Sequence, residues 1–358
     1  MEKLSDYKDE INKCSKCGLC QAVCPIYKLT GNDCAVSRGK FVMLNGVLNG
    51  DLKLNKNINK YLDMCLKCGK CSEFCPSGID VCKIFEAAKY EYTRNTVLGK
   101  LIFFLESKFV FGTILKFLKI FAKSPKKSQK DIADAKILKL LYFKGCAGNI
   151  FPYTKQILTQ IHSIEIIEKD FDCCGIPFLS SGNLERFEEV KEYNSKLIKE
   201  TEFDFILTDC ASCESTLKGY NILSEDKFIS LGELLLKLSI KFESKTPVKV
   251  TFHKPCHLKN VDFVKPLFKN CENVEYIEME DLDDCCGFAG EFALKNHKLS
   301  IDISKKKAKN ILDTGADYVI TTCPSCIMGL RQGMSQIECG TKVFGLSEFL
   351  MEKLSLKL

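Results

Sequence analysis

The sequence predicts an α/β protein in which a duplicated half with largely parallel sheets follows a small α-helical N-terminal domain. Three observations predict it. Twenty-two cysteines occur in 358 residues, most of them in tight blocks. From about residue 137 onward, short apolar runs alternate with helical patterns, the order that builds parallel sheets. That succession of runs and cysteine blocks then occurs a second time, so the C-terminal part reads as a duplicated unit. The expected divisions are a helical domain over 1–95, an amphipathic helical connector over 96–135, a first repeat over 136–246 and a second over 247–358.

In the N-terminal domain, Cys14, Cys17, Cys20 and Cys24 precede Pro25, and Cys65, Cys68, Cys71 and Cys75 precede Pro76. Both blocks have the form C-x2-C-x2-C-x3-C-P, the run that holds a pair of [4Fe–4S] clusters in bacterial ferredoxins. Three cysteines spaced i, i+3 and i+6 on a tight turn can reach three irons of one cubane. The fourth, turned away by the proline, reaches the other cluster. Two [4Fe–4S] clusters are therefore expected, one on Cys14, Cys17, Cys20 and Cys75, the other on Cys65, Cys68, Cys71 and Cys24. Gly18 and Gly69 follow the second cysteine of each block, where a missing side chain lets backbone N–H groups approach sulfide. A zinc ribbon is the rival reading, because C-x2-C pairs also bind zinc, but zinc gives no reason for the C-x3-C-P ending. A disulfide framework is weaker, since a chain of this length has no need of stapling.

Between and after these blocks, residues 39–48 and Val81–Arg94 read as helices with few β-branched residues. The arrangement resembles the α-helical ferredoxin domain of succinate dehydrogenase iron–sulfur subunits. Residues 97–123 place Lys108, Lys116, Lys119 and Lys123 on one helical arc, with Phe104, Phe111, Ile114, Phe117, Leu118 and Phe121 outside it. Such a stretch can lie on an anionic bilayer, its lysine stems reaching the headgroups. A helical hairpin packed between domains or on a partner is the plainer alternative. Residues 124–130 read as a linker.

Composition narrows the surroundings. The polar start of the chain gives no signal peptide, and so many thiols imply a reducing compartment, so a cytoplasmic protein is expected, peripheral at most on the inner face of the membrane. No apolar run reaches the roughly 18 residues a membrane span needs. The formal charge of +6 falls to roughly +2 once two clusters of about −2 each are counted. Neither that balance nor any motif points to nucleic acid.

In the duplicated half, strand-like runs at 137–143 and 205–209 answer runs at 248–252 and 318–322, with helical patterns at Leu184–Lys199 and 299–312. The first copy carries Cys146, then Cys173 and Cys174 before Gly175, then Cys210 and Cys213. The second carries Cys256, then Cys285 and Cys286 before Gly287, then Cys323 and Cys326. A duplicated unit has a pseudo-two-fold relation, so both sets are expected to face one cleft. This C…CCG…C-x2-C pattern resembles the cysteine-rich CCG domains of heterodisulfide reductase and of glycolate oxidase iron–sulfur subunits. With the N-terminal ferredoxin pair, nearly the whole chain resembles the iron–sulfur subunit of bacterial glycolate or lactate dehydrogenases, and also that of anaerobic glycerol-3-phosphate dehydrogenase. The segments DCCGFAGEFALKN and HKPCHL are most similar to the hydroxy-acid group.

The resemblance implies that each five-cysteine set holds a further iron–sulfur centre, of the non-cubane four-iron type in the heterodisulfide reductase relatives. It implies one or two such centres here. Cys34, Cys82, Cys271 and Cys339 remain, and are read as small core hydrophobes. His257, beside Cys256, is read as packed near the site or supporting it rather than as a ligand, with proton shuttling open to it. His162 and His297 read as solvated. No catalytic residue is assigned. The implied function is an electron-transfer subunit: an FAD-binding dehydrogenase partner oxidises a 2-hydroxy acid, and electrons pass on to quinone or a membrane redox partner. No G-x-G-x-x-G follows a strand, so the flavin belongs to the partner. The second reading is a thiol–disulfide reductase like heterodisulfide reductase, for which the two intact five-cysteine sets speak. A zinc-bearing scaffold is the third.

Overall fold

The computed structural model describes residues 3–107, 137–146 and 153–357. Residues 3–107 contain helices and turns with no strand. The longer helices are Ser37–Leu48, Lys56–Asp63 and Val81–Arg94. Asn55 starts the second by accepting from the Asn57 and Ile58 N–H groups, and Asp80 starts the third by accepting from Lys83 N–H. Their apolar faces meet around Leu4, Leu44, Ile84 and Ala88, with Phe41 edge-on to Phe85 at 5.7 Å.

The connector begins with helix Val97–Leu105, capped by Thr96. Lysines 108, 116, 119 and 123 of the expected amphipathic stretch lie outside the described residues, as does the 124–130 linker.

The remainder is α/β. Strands β1 (Leu138–Phe143), β2 (Ile164–Glu168) and β3 (Phe205–Thr208) form a parallel sheet in the order β2-β1-β3. Strands β4 (Lys241–Phe252), β5 (Cys271–Tyr276), β6 (Tyr318–Thr321) and β7 (Lys342–Gly345) form a second parallel sheet in the order β5-β4-β6-β7. The last strand, β8 (Leu354–Lys357), runs antiparallel to the start of β4. Helices Leu184–Lys199 and His297–Leu312 occupy equivalent crossovers.

The division expected between 246 and 247 falls inside β4. This strand is long because its first part pairs with β8 and its last part with β6. Pro247 has no N–H for a ladder, and the register against β5 shifts between Glu243 and Val248. The two sheets also share one apolar core, with Leu140, Leu207, Leu234, Val250 and Ile320 inside it.

Parallel strands carry their ligand-binding loops at their carboxyl ends. Eight of the ten repeat cysteines obey this rule, and Cys213 and Cys326 lie on the helices that follow. Cys146 follows β1, Cys173 and Cys174 follow β2, and Cys210 follows β3; Cys256, Cys285 with Cys286, and Cys323 follow β4, β5 and β6 in the same way.

Candidate metal centres

The two N-terminal blocks fold onto each other with the same backbone turn. Lys16 and Lys67 both take left-handed φ values (57° and 51°), and the glycine two positions later starts a short helix, Leu19–Val23 or Lys70–Glu73. One cavity is lined by Cys14, Cys17, Cys20 and Cys75, with Cys71 also on its wall. A second is lined by Cys24, Cys65, Cys68 and Cys71. The fourth cysteine of each block thus sits with the first three of the other. Four thiols around one pocket, with the Lys67 N–H directed at Cys65 Sγ (3.4 Å), form a donor set of the kind that holds iron as a cubane. Burial pushes the Cys68 thiol up to about 11 and the Cys71 thiol up to about 12. Metal binding at such a site displaces protons that the apo pocket would keep.

Cys82 departs from its expected role as core filler. It opens helix Val81–Arg94 and lines the second cavity beside Cys65, Cys68 and Cys71. It also lines a cleft of about 1110 Å³ between the helical domain and the repeats. No spacing rule in the sequence marks it. Cys271, by contrast, is buried in the core and donates to Leu267 O (3.3 Å), while Cys34 and Cys339 are half-buried. His162 and His297 are exposed.

In the repeats, each C-x2-C pair sits on the first turn of a helix. Cys210 and Cys323 precede helices Ala211–Lys218 and Pro324–Met334 with nearly the same backbone angles, φ −136° and −137°. Each CCG turn needs its glycine, because Gly175 (φ 91°) and Gly287 (φ 80°) lie in the left-handed region. The aspartate before each pair meets a cation from the following helix: Asp172 with Arg186 at 2.7 Å, Asp284 with Lys306 at 2.8 Å. In the first repeat Cys146, Cys173, Cys174, Cys210 and Cys213 gather in one cluster, where the Tyr220 hydroxyl donates to Cys174 O (2.9 Å). In the second, Cys286 Sγ and Cys326 Sγ lie 3.4 Å apart, and Gly287 N–H points at Cys285 Sγ (3.4 Å).

The sets adjoin one another. Cys285 packs with Ile26, Leu66 and Phe292, and half-buried Cys24 and Cys68 of the N-terminal domain join that cluster. Cys256 lies close enough to Cys68 for the two charges to oppose each other's ionisation. Across the repeats, Cys210 and Cys323 share a hydrogen bond, and Ala211 N–H donates to Thr322 O at 3.0 Å. The thiols therefore run without a gap from the first N-terminal block to the first repeat, by way of the second block and the second repeat. Lys89 helps fix that arrangement, pairing with Asp63 (2.9 Å) and Glu291 and donating to Ser180 O (2.6 Å).

His257 is not on a sulfur. Its Nε2 lies 3.0 Å from Lys67 O, and its Nδ1 lies 2.8 Å from Ser212 Oγ. A carbonyl only accepts, so Nε2 carries the proton and Nδ1 accepts from the serine. Ser212 in turn lies 3.7 Å from Cys323 Sγ. This histidine joins the N-terminal domain to both repeats and lines the large cleft. Sequence reasoning assigns no separate role to a second histidine, His253, which is buried beside Cys286 and Cys326. Its place directly after β4, at a strand's carboxyl end, is the signal that could have found it.

Comparison with known proteins agrees with this division. The family described as a 4Fe-4S dicluster domain matches residues 10–79, and the one described as a cysteine-rich domain matches 140–218 and again 250–331. An uncharacterized iron–sulfur protein of Methanococcus maripaludis is 27% identical over 351 residues, covering 94% of this chain and 70% of that one. A probable glycolate oxidase iron–sulfur subunit of Bacillus subtilis is 23% identical over 416 residues, covering 96% and 94%. One subunit of the dihydromethanophenazine:CoB–CoM heterodisulfide reductase of Methanosarcina acetivorans is 24% identical over 399 residues, covering 98% and 95%. Among the described residues, no helix is long and apolar enough to cross a membrane. With a 4Fe–4S dicluster domain ahead of two cysteine-rich domains, the chain is an iron–sulfur electron-transfer protein.

Proposed function

We propose that this chain is the electron-transfer subunit of a flavoprotein 2-hydroxy-acid dehydrogenase and delivers electrons toward quinone. Cys14, Cys17, Cys20 and Cys75 would hold one [4Fe–4S] cluster, and Cys24, Cys65, Cys68 and Cys71 the other. Cys146, Cys173, Cys174, Cys210 and Cys213 would hold a centre in the first repeat, and Cys256, Cys285, Cys286, Cys323 and Cys326 one in the second. Such groups supply one-electron steps to a two-electron donor. The observation that carries the reading is the unbroken succession of thiol sets, from exposed Cys17 to the Cys210–Cys323 contact. The chain's own part is to hold these sets in contact and to keep water from the buried ones.

Helix Val97–Leu105 exposes Val97, Leu98, Leu101, Phe104 and Leu105, a face suited to a partner protein or to the inner face of the cytoplasmic membrane. The test uses anaerobically prepared full-length protein with a flavoprotein 2-hydroxy-acid dehydrogenase. Glycolate or lactate should reduce its iron–sulfur signals, and a quinone analogue should reoxidise them. Reduction by neither acid would sink the proposal.

The cleft of about 1110 Å³ favours a second reading, because it could admit a disulfide substrate beside His257 and Cys82. In that case a low-molecular-weight disulfide, and no quinone, should reoxidise the reduced protein.

A further inference from the structure

We propose that His253 is a nitrogen ligand of the metal centre in the second repeat, bound to the same metal ion as Cys286 and Cys326. The inference deepens the proposed function and rests on its reading that this repeat holds a centre.

Three observations carry it. The ligand atoms of His253, Cys286 and Cys326 all lie within 4.8 Å of one another, and all three residues are buried. Thiolate sulfur binds a tetrahedral metal at about 2.3 Å and imidazole nitrogen at about 2.0–2.1 Å, so ligand atoms on one metal stand roughly 3.5–3.8 Å apart. The Cys286–Cys326 separation of 3.4 Å has that scale.

Second, His253 is 1% exposed, its ring has no oxygen or nitrogen partner among the described residues, and the one group it interacts with is the Cys286 thiol. A buried ring nitrogen without an acceptor or donor of its own is disfavoured. A metal held by the two thiolates satisfies one nitrogen directly.

Third, the ring is not placed by chance packing. His253 N–H donates to Ile320 O at 2.8 Å, so the residue is locked to the end of β6, just before Cys323 and the helix that carries Cys326. Two cysteines and one histidine would supply three donors to one metal ion.

The first repeat has no counterpart. Phe143 and Phe252 end equivalent strands, and the residue that follows is Lys144 in one and His253 in the other. The two centres should therefore differ. Replacing that imidazole with a thiolate would add negative charge at the iron and lower its potential, the reverse of the change where histidines replace cysteines in Rieske centres.

The experiment uses the full-length protein, prepared anaerobically with natural and with ¹⁵N-labelled histidine. Its subject is the paramagnetic signal that disappears in Cys286→Ser. Pulsed electron–nuclear spectroscopy should find a strong, directly bonded nitrogen coupling that changes with the label and vanishes in H253Q. In H253C the iron should remain, the coupling should vanish, and the midpoint potential should fall. A nitrogen coupling that survives in H253Q, one weak enough for a hydrogen bond only, or none at all overturns the ligand. A different result marks failure of the underlying reading: iron in the wild type sufficient only for the two N-terminal clusters, with Cys286→Ser changing nothing. The wild-type measurement decides the matter even if both variants fold poorly.

Discussion

The two cysteine-rich repeats share a backbone and differ in their surroundings. The C-x2-C residues agree in φ to a degree, −136° against −137°, and both CCG glycines are left-handed. Yet Cys285 of the second repeat packs with Ile26 and Leu66 of the N-terminal domain, while Cys173 and Cys174 of the first are buried among residues of their own repeat. The second repeat has His253 where the first has Lys144. The connector approaches the first repeat instead, where Glu106 accepts from Ser181 Oγ and Asn183 Nδ2, both at 3.0 Å. Duplication copied a cysteine frame, and divergence set the second copy against the N-terminal domain; on the proposed function the second repeat would be an inner relay and the first its end. A contact position in the succession, more than cysteine count, separates their roles.

The largest expected effect is the loss of one centre at a time. Cys286→Ser should remove the second repeat's centre and interrupt the succession in its middle. Cys174→Ser should remove only the first repeat's centre, at its end. Reduction of the first-repeat signal through the flavoprotein should fail in the former variant, and all other signals should survive in the latter. Stopped-flow reduction followed by freeze-quench EPR reads both. Equal behaviour of the two variants would break the relay-and-end distinction.

Backbone strain should separate the repeats next. A Cβ at Gly287 meets Ser300 O at 2.6 Å and Ser304 N at 2.9 Å, whereas one at Gly175 meets the Phe187 ring at 2.6 Å. Left-handed φ alone costs roughly 1–2 kcal/mol for a residue with a side chain. Main chain cannot yield as a ring can, so Gly287→Ala should lower thermal stability more than Gly175→Ala. It should also lose more iron. The reverse order would mean that the helix His297–Leu312 is less firmly seated than its contacts imply.

Much of this was legible in the sequence, and the reasons are local. The C-x2-C-x2-C-x3-C-P run fixes its own turn, so which cysteines meet in each N-terminal cavity follows from spacing. Runs ending at Phe143 and Phe252 are strands because apolar, β-branched and aromatic residues there face a core on both sides. What could not be read is long-range. Cys82 joins the second cavity only because its helix packs on the block at 65–75, and His257 spans three domains through Ser212 and Lys67 O. The boundary at 246/247 falls inside β4, a strand that is long because it recruits β8 from the far end of the chain. None of these contacts has a period or a motif.

The connector offers a third, smaller test. Val97, Leu98 and Phe104 are 89%, 67% and 63% exposed. Leu98→Glu with Phe104→Glu should weaken binding to anionic vesicles or to the flavoprotein severalfold and leave iron content unchanged. Basic residues near anionic lipid add about 1 kcal/mol each and are screened by salt. The lysines at 108, 116, 119 and 123 should therefore make vesicle binding salt-weakened. Flotation that shows no vesicle binding, with flavoprotein association lost in the double variant, would assign the face to the partner. Unchanged association in both assays would remove the connector from the interface.

The last effect concerns a cysteine outside the repeat sets. Cys271 opens β5, 4% exposed, and burial pushes its thiol up to about 12. In the unfolded chain the same thiol ionises near pH ~8.5. Between those values the unfolded state has released a proton that the folded state keeps, so stability falls as pH rises. Below about pH 8 the group contributes no slope. Cys271→Ala removes this source of pH dependence at the expense of a small cavity. Its deficit against the wild type should therefore shrink between pH 8 and pH 10, by about 1–2 kcal/mol. Anaerobic denaturant unfolding at the two pH values measures it. A deficit that stays constant would mean that Cys271 reaches water or a cation when folded, and that β5 is more open than β2 at the same place in the other repeat.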